Sequence, residues 1–277
     1  MSRPKRPLGQ HFLHDPRILN RLAEAVGATP ADTVLEIGPG PGGLTEALLR
    51  HAGRVVAIEK YDEIIPALRA RVPGATIVEG DALELDWVTL AGGPGGLVTG
   101  NIPYNITSPL LDKALTPPRP RRIVFLVQKE VAHRVGAAPG TKDYGALTVG
   151  IQAVAKTEVL FTVPAGAFQP VPKVDSAALR LEPLAVPLVR DEEVRSFRAA
   201  VVGLFGFRRK QLVRAVRELT GWGVEQAGRA VAQAGLDPGV RPEAASPAAF
   251  LPMHAAPVDR GWRPAQLCAT SHNPRPI

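Results

Sequence analysis

The segment Gly100-Asn101-Ile102-Pro103-Tyr104 contains the residue types with which a protein could hold an amine for chemistry. Asn101 offers an amide oxygen as a hydrogen-bond acceptor, and Tyr104 offers a flat aromatic face. Pro103 stiffens the turn and orients the carbonyl of Ile102, which is a second acceptor. Two acceptors beside a stacking surface suit the exocyclic amine of a planar base such as adenine, whose nitrogen lone pair would be free to attack. An ordinary turn is the alternative interpretation.

A glycine-rich segment, GPGPGG at residues 38–43, follows an apolar run and precedes a helical pattern. Glycines such as Gly38 and Gly40 let the backbone approach a ligand closely, and the helix N-terminus favours an anionic or polar group. Glu36 stands just before the first glycine, where a carboxylate would meet a cationic or amine-bearing ligand. The segment therefore predicts a binding loop, with a tight structural turn as the alternative.

Two further carboxylates come at the ends of predicted strands. Glu59 lies about 20 residues after the first glycine, where an acidic side chain reaches the ribose hydroxyls in nucleotide-binding folds, and Lys60 lies beside it. Asp81 ends the next strand and could accept a hydrogen bond from an adenine amino group. These positions predict a nucleoside-containing ligand. Because residues 38–43 also match G-x-G-x-x-G, an oxidoreductase with a NAD or FAD site remains an alternative.

Seven short apolar runs predict the strands that position these residues. They are residues 33–37, 54–58, 76–78, 96–99, 123–127, 158–163 and 176–181. Because helical patterns separate most of them, we expect a mostly parallel seven-stranded sheet with helices on both faces. This is a Rossmann-like α/β fold, and its last strand should be antiparallel.

The pattern changes after residue 182. Helical patterns cover residues 194–205, 208–220, 224–234 and 247–253, and no convincing strand follows. We therefore expect a catalytic domain over residues 1–182 and a small all-α domain over residues 183–277.

The composition bounds the class of partner. The chain has 277 residues and a formal net charge of +7, which fits a nucleic-acid or acidic-membrane partner. No apolar run approaches the length of a membrane span, and the N-terminal residues lack the apolar region of a secretion signal. Cys268 is the only cysteine, so no intramolecular disulfide can form. We expect a cytoplasmic protein that contacts no membrane and needs no metal.

The positive charge is concentrated in the predicted small domain, where residues 183–277 carry +5 of the total. The predicted RNA-binding residues are Arg208, Arg209, Lys210, Arg214 and Arg217. On a helix over residues 208–220, the side chains at 210, 214 and 217 would share one face. A solvated helix face is the alternative. Trp222 is interpreted as a packing residue of this domain.

At this point the chain resembles the S-adenosylmethionine-dependent rRNA adenine N6-dimethyltransferases. The matching blocks are GQHFLHD (9–15), LEIGPGPGGLT (35–45), GDAL (80–83), GNIPYNITSP (100–109), AFQPVPKVDSA (167–177) and FGFRRKQL (205–212). The last two blocks favour the bacterial small-subunit branch of this family.

The resemblance implies a role for each matching residue. Gln10, His11 and Leu13 would close over the methionine end and ribose of the cosubstrate. The glycines at 38 and 40 would line the methionine side. The carboxylate at 59 would bind the ribose, and Asp81 with Ala82 would recognise the adenine. The segment 101–104 would bind the target adenine, with Phe168 as a second aromatic wall, and Asn101 would also contact the cosubstrate.

The resemblance also implies the substrate and the reaction. Two adjacent adenosines in the 3′-terminal hairpin of 16S rRNA, in an immature 30S particle, would be dimethylated, and S-adenosylhomocysteine would be the product. We expect a monomer that acts in ribosome biogenesis. Two alternatives remain, a 23S rRNA methyltransferase of the macrolide-resistance type and a non-catalytic 30S assembly factor.

Overall fold

The apolar runs form strands in the structure, a computed structural model that describes residues 11–254. The strands are β1 (Phe12–Leu13), β2 (Thr33–Ile37), β3 (Arg54–Glu59), β4 (Thr76–Glu79), β5 (Leu97–Asn101), β6 (Arg122–Gln128), β7 (Ala155–Val163), β8 (Phe168–Gln169) and β9 (Ser176–Pro183). The helices are α1 (Pro16–Val26), α2 (Gly43–Leu48), α3 (Ile65–Arg71), α4 (Trp87–Leu90), α5 (Thr107–Ala114), α6 (Lys129–Val135), α7 (Ala146–Gln152), α8 (Val194–Gly206), α9 (Leu212–Thr220), α10 (Val224–Gln233) and α11 (Leu251–His254).

Seven of the strands form one sheet in the order β4-β3-β2-β5-β6-β9-β7. The pairs β2–β3, β2–β5, β3–β4 and β5–β6 are parallel, and β9 is antiparallel to β6. The predicted Rossmann-like α/β fold with an antiparallel last strand is thus confirmed. Since parallel strands end at one edge of the sheet, the residues that follow β2, β3, β4 and β5 meet there.

The helix before β2 begins where the sequence predicts it. The Asp15 carboxylate accepts a hydrogen bond from the backbone N–H of Arg17 at 2.9 Å, and Pro16 occupies the first helical position. The helix ends at Gly27, which is left-handed with φ of 66°. Its buried face packs against α2, β5 and β6, so α1 covers one side of the sheet.

Two chain-distant segments form a separate small sheet. Strand β1 pairs antiparallel with β8, with Phe12 opposite Gln169 and Leu13 opposite Phe168. This pairing was not predicted from the sequence, because two-residue strands leave no periodic pattern. The pairing brings the segment around residue 11 to the loop around residue 170.

The described residues divide into two compact units. The sheet unit takes in the described residues up to His133 together with Lys156–Pro183, and the helical unit takes in Arg134–Ala155 and the described residues from Leu184 onward. The predicted catalytic domain, residues 1–182, included residues 134–155, which the structure instead groups with the helices. The reason is packing within the helical unit, where α7 contacts α8 and the Tyr144 hydroxyl donates to the Ala245 carbonyl at 2.8 Å.

The helix predicted over residues 208–220 begins later than expected. Helix α8 ends at Gly206 and α9 begins at Leu212, with a turn between them. In this turn the N–H of Lys210 donates to the carbonyl of Phe207 at 2.7 Å. The prediction that residues 210, 214 and 217 share one helix face is therefore wrong, since Lys210 precedes the helix.

Between residues 11 and 254, no helix is long and apolar enough to cross a bilayer. In the same range, no group of three or more His, Cys, Asp or Glu side chains is arranged to hold a metal ion.

Candidate active site

A cavity of the sheet unit opens at the carboxyl ends of β2, β3 and β5 and beyond β4. Its lining comprises His11, Phe12, Ile37, Gly38, Gly40, Ile58, Glu59, Lys60, Tyr61, Gly80, Asp81, Ala82, Leu83, Asn101, Ile102, Pro103, Tyr104, Asn105 and Ile106. We call the part formed by residues 38, 40, 59, 60 and 81 the carboxylate half. We call the part formed by residues 11, 101, 102 and 104 the amide half.

The glycine loop leaves space beside its backbone. Gly38 and Gly40 have positive φ values of 67° and 52°, which glycine adopts without strain. A Cβ added at Gly38 would meet no atom of residues 11–254 within 4 Å, so this part of the chain leaves open space beside the backbone there. A Cβ at Gly40 would lie 2.7 Å from the Phe12 ring, so that ring packs directly on the loop.

Glu59 presents a carboxylate that the backbone fixes in place. Its oxygens accept hydrogen bonds from the N–H of Gly40 at 3.2 Å and of Tyr61 at 3.0 Å. Burial raises the pKa of Glu59, and these N–H groups partly offset that effect. Each carboxylate oxygen can still accept a further hydrogen bond from a ligand hydroxyl.

Asp81 is fixed by a cation and by its own turn. It accepts from Lys60 Nζ at 2.7 Å and from the N–H of Leu83 at 2.8 Å. The Lys60 hydrogen bond is the main reason why the pKa of Asp81 is lowered and that of Lys60 is raised. Next to it, the Ala82 carbonyl accepts from Trp87 Nε1 at 2.8 Å, which anchors the turn in the core. The carboxylate half thus contains an ionised acceptor at a defined position.

The amide half begins with an oriented asparagine. Asn101 Nδ2 donates to the backbone carbonyl of His11 at 2.7 Å. This hydrogen bond engages the amide nitrogen and leaves the amide oxygen as an acceptor. The following N–H, of Ile102, donates to the Leu126 carbonyl at 3.0 Å, which fixes the backbone of the turn to β6.

Tyr104 is braced from two sides. Its hydroxyl forms a hydrogen bond with Ser176 Oγ at 3.0 Å, and its ring centroid lies 5.5 Å from that of His11. His11 is itself held, since Nδ1 donates to the Pro170 carbonyl at 2.7 Å. Burial raises the pKa of Tyr104, so its hydroxyl stays protonated near neutral pH. His11, predicted as a cosubstrate contact, lies in the cavity lining with its ring beside Tyr104.

Three predicted site residues do not line the cavity. Leu13 and Phe168 lie opposite each other in the β1–β8 pair and pack into the hydrophobic core, with Phe168 only 1% exposed. The prediction that Phe168 forms an aromatic wall is corrected here, because the pairing of β1 with β8 buries it. Gln10 lies outside the described residues.

Glu36 is the third. It lies inside β2, is 1% exposed, and its Oε2 has no hydrogen-bond partner among the described residues. Burial, with a contribution from the nearby charge of Glu59, raises the pKa of Glu36 to about 8. Glu36 is therefore a buried carboxyl beneath the loop and not a contact on the cavity surface.

Several lining residues had not been predicted. Tyr61 and Leu83 donate the backbone N–H groups that fix the two carboxylates, and their positions just after strand ends were a usable signal. Phe12, Asn105 and Ile106 complete the lining. Lys113 also contributes indirectly, because its Nζ donates to the Leu83 carbonyl at 2.7 Å. No sequence pattern marks Lys113.

The predicted RNA-binding residues all lie in the helical unit but differ in their availability. Arg208 is bonded to Glu243 at 2.6 Å and to the Lys142 carbonyl at 3.0 Å. Lys210 and Arg214 both approach Glu218, at 3.1 and 3.7 Å. The remaining two, at positions 209 and 217, are exposed and have no ion-pair partner in the described part of the chain.

The sheet order and the carboxylates at its edge define a class, the Rossmann-like S-adenosylmethionine-dependent methyltransferases. The family model described as ribosomal RNA adenine dimethylase matches residues 1–251. The chain belongs to this family, and it is an S-adenosylmethionine-dependent rRNA adenine dimethyltransferase.

Relatives and solved structures agree with this assignment. A ribosomal RNA small subunit methyltransferase A from Phenylobacterium zucineum is 41% identical over 265 residues, which cover 94% of this chain and 90% of that protein. One from Geobacter metallireducens is 40% identical over 269 residues, covering 94% and 98%.

Among solved structures, a dimethyladenosine transferase from Plasmodium falciparum has a TM-score of 0.76 at 25% identity, covering 88% of this chain and 96% of that one. The 23S rRNA methyltransferase ErmE has a TM-score of 0.69 at 28% identity, covering 88% and 98%.

Proposed function

We propose that this enzyme dimethylates the N6 amino groups of two adjacent adenosines in the 3′-terminal hairpin of 16S rRNA. The substrate would be the immature 30S particle in the cytoplasm, and the reaction a late step of small-subunit biogenesis. Support comes from the small-subunit methyltransferases that are 40–41% identical to this chain. The observation that carries the reaction is the Asn101 amide, whose nitrogen donates to the His11 carbonyl, leaving its oxygen as an acceptor in the cavity that Tyr104 also lines.

The carboxylate half fits S-adenosylmethionine. No atom of the described residues fills the space in which a Cβ of Gly38 would lie, so the backbone can approach the methionine part. The Glu59 oxygens retain acceptor capacity for the ribose hydroxyls, and the Asp81 carboxylate can accept from the adenine amino group. Lys60 now occupies one side of Asp81 and would share it with the ligand. When bound, the cosubstrate supplies a methyl group already activated by a sulfonium.

The amide half would bind and orient the target base. Asn101 Oδ1 and the Ile102 carbonyl would accept the two hydrogens of N6, leaving the nitrogen lone pair directed toward the carboxylate half. Stacking on Tyr104 would contribute about 1–3 kcal/mol. Because an adenine in a duplex or stack cannot reach this edge, the nucleotide must swing out first. Catalysis would rest on alignment and on acceptors placed to meet developing positive charge on the amine.

The second methyl transfer places a further demand on the same residues. In the first transfer the N–C bond forms as the sulfonium S–C bond breaks, and the resulting cationic N6 loses one proton to water. N6 then keeps a single hydrogen, so only one of the two acceptors at Asn101 and Ile102 can be engaged. The methyl group must then occupy the space of the released hydrogen. Tyr104 would carry more of the positioning in the second round, because stacking does not depend on N6 hydrogens.

We propose that the enzyme is a monomer and that its helical unit binds the RNA. The docking residues would be Arg208, Arg209, Lys210, Arg214 and Arg217, of which Arg209 and Arg217 are free of internal ion pairs in the described residues. A phosphate would compete for the others with Glu243 and Glu218. Particle binding should therefore weaken steeply with salt, more than cosubstrate binding does.

The test is methyl transfer from labelled S-adenosylmethionine to unmethylated 30S particles, with 50S particles alongside and mass mapping of the product. Dimethyladenosine near the 3′ end of 16S rRNA is the expected result. Label in 23S rRNA would overturn the proposed substrate. Cosubstrate and particle binding without any label would favour a non-catalytic assembly factor.

A further inference from the structure

A groove in the helical unit lies outside the methyl-transfer chemistry. It runs along α9 and the loop that joins α9 to α10, and its lining includes Gln211, Arg214, Arg217, Glu218, Trp222 and Val224. Gly221 ends α9 in a left-handed conformation with φ of 75°, which turns the chain and starts the loop. The loop backbone is fixed, because the N–H of Trp222 donates to Thr220 Oγ1 at 3.2 Å.

Trp222 is not a simple core residue. It is half-buried, lines the groove, and makes no ring contact with another aromatic side chain within residues 11–254. Its neighbour in the lining, Val224, is 60% exposed. Trp222 is thus an aromatic side chain, flanked by glycines at 221 and 223, that keeps an accessible surface in the groove in addition to the packing role expected from the sequence.

The charges around the groove are predominantly positive. Helix α9 places Arg214 and Arg217 three residues apart, so both guanidinium groups lie on one side of the helix. The one carboxylate in the lining, Glu218, is approached by Lys210 and Arg214. Arg217 has no ion pair among the described residues and is exposed. A groove with a surplus of cations beside an indole matches an anion that carries a flat ring.

We propose that this groove binds an unpaired nucleotide of the RNA substrate, with its phosphate on Arg217 and Arg214 and its base stacked on Trp222. This inference rests on the proposed RNA substrate and adds a nucleotide-binding point in the helical unit. A base inside a duplex has no free face to stack on an indole, so the groove selects a loop or bulge. The charge without the indole would only fit phosphates in general.

Tryptophan fluorescence tests the stacking directly. Full-length protein is titrated with a ten-residue oligouridine at low salt, and quenching is expected from contact of a base with Trp222. Trp222→Phe should remove the quenching, while Trp262→Phe, which changes a tryptophan outside the described residues, should retain it. Trp87 is 5% exposed and cannot stack with a base.

Affinity measured by anisotropy of the labelled oligouridine separates stacking from charge. Trp222→Phe keeps an aromatic face and should bind nearly as the wild type, whereas Trp222→Leu should weaken binding about tenfold. Arg217→Gln should weaken binding and lower the salt dependence by about one unit of slope. Arg229→Gln, an exposed arginine of α10 outside the groove lining, is the matched control and should change neither quantity.

Quenching that survives Trp222→Phe, or Trp222→Leu and Arg217→Gln variants that bind like the Arg229→Gln control, would overturn the proposal. Competition by polyglutamate as strong as that by oligouridine would assign the groove to an acidic peptide instead. Methylation of 30S particles by the wild type is measured in parallel. If it fails, the proposed function is wrong; if it succeeds while the groove variants bind normally, only the groove assignment is wrong.

Discussion

The contacts that hold the two halves of the cavity in place differ greatly in sequence separation. In the carboxylate half, Glu59 and Asp81 each accept from a backbone N–H two residues further along the chain. In the amide half, Asn101 is bonded to a residue 90 positions away, Tyr104 to one 72 away and His11 to one 159 away. Glu59 and Asp81 are also bonded to Gly40 and Lys60, 19 and 21 residues away. The contacts of these two carboxylates thus lie within residues 40–83, whereas the amide half needs partners as far along the chain as Ser176.

The largest effect is expected for Asn101→Ala, which tests whether the halves act separately. The variant removes the oriented acceptor for N6, so methylation should fall about 10²–10³-fold in kcat/KM. Cosubstrate affinity, measured by calorimetry, should change little, because the carboxylate half is fixed by its own turns. A loss of cosubstrate affinity as large as the loss of activity would mean that the two halves are one site.

Glu59→Gln is the converse change. The amide would offer one acceptor where the carboxylate offers two, and its NH₂ would face the N–H groups of Gly40 or Tyr61. The cosubstrate Kd should rise about 10–100-fold, since hydrogen bonds to charged groups contribute about 1.5–3 kcal/mol each. RNA binding in a filter assay should stay at the wild-type level. Weakened RNA binding would contradict the separation.

Glu36→Gln tests how the free energy of unfolding depends on the protonation of Glu36. Because the pKa of Glu36 is raised to about 8 in the folded protein, the stability contributed by its protonated form is present at low pH and lost as pH rises toward 8. The free energy of unfolding of the wild type should fall relative to Glu36→Gln by about 2 kcal/mol between pH 6 and pH 8.

Denaturant unfolding without ligand measures this difference. Glu79→Gln, which changes an exposed residue of β4, is the control and should show no such trend. A stability difference between wild type and Glu36→Gln that is constant across this pH range would show that Glu36 is not buried as a neutral acid.

Ser176→Ala should have the smallest effect. It removes the hydrogen-bond partner of the Tyr104 hydroxyl and leaves the ring in place, so kcat/KM for RNA should fall about 3–10-fold. Tyr104→Phe should produce a loss of similar size, and the double variant should lose little more. Additive losses in this double-mutant cycle would mean that the two hydroxyls act independently. Cosubstrate Kd serves as the control readout.

The same contrast of range explains what the sequence could predict. Glu59, Asp81 and Asn101 were identifiable because apolar runs mark the strands, and the first polar residue at a strand end lies at the ligand edge. Glu36 was misjudged because it lies one residue before the end of its strand, where its side chain is buried.

Contacts between residues distant in the sequence could not be predicted from sequence patterns. The pairing of Leu13 with Phe168 buries both residues, and neither block shows a strand pattern. Likewise, residues 134–155 were predicted in the catalytic domain, although Tyr144 is bonded to Ala245, about 100 residues later. The late start of α9 was not predicted because Arg208, Arg209 and Lys210 are all compatible with a helix. Tertiary contacts of Arg208 favour the turn instead.

The contacts of the amide half between residues distant in sequence also determine when a newly made chain can orient a target base. During translation the chain emerges from its N-terminus, so the residues of the carboxylate half are available for folding first. Among the described residues, the hydrogen-bond partner of the Tyr104 hydroxyl is Ser176 and that of the His11 ring is Pro170, so neither bond can form until those residues have been added. A nascent chain can thus form its ligand loop early, but it cannot orient a base until translation has passed residue 176. An enzyme whose proposed target is ribosomal RNA would therefore be unable to act on RNA until its own chain has been made past residue 176.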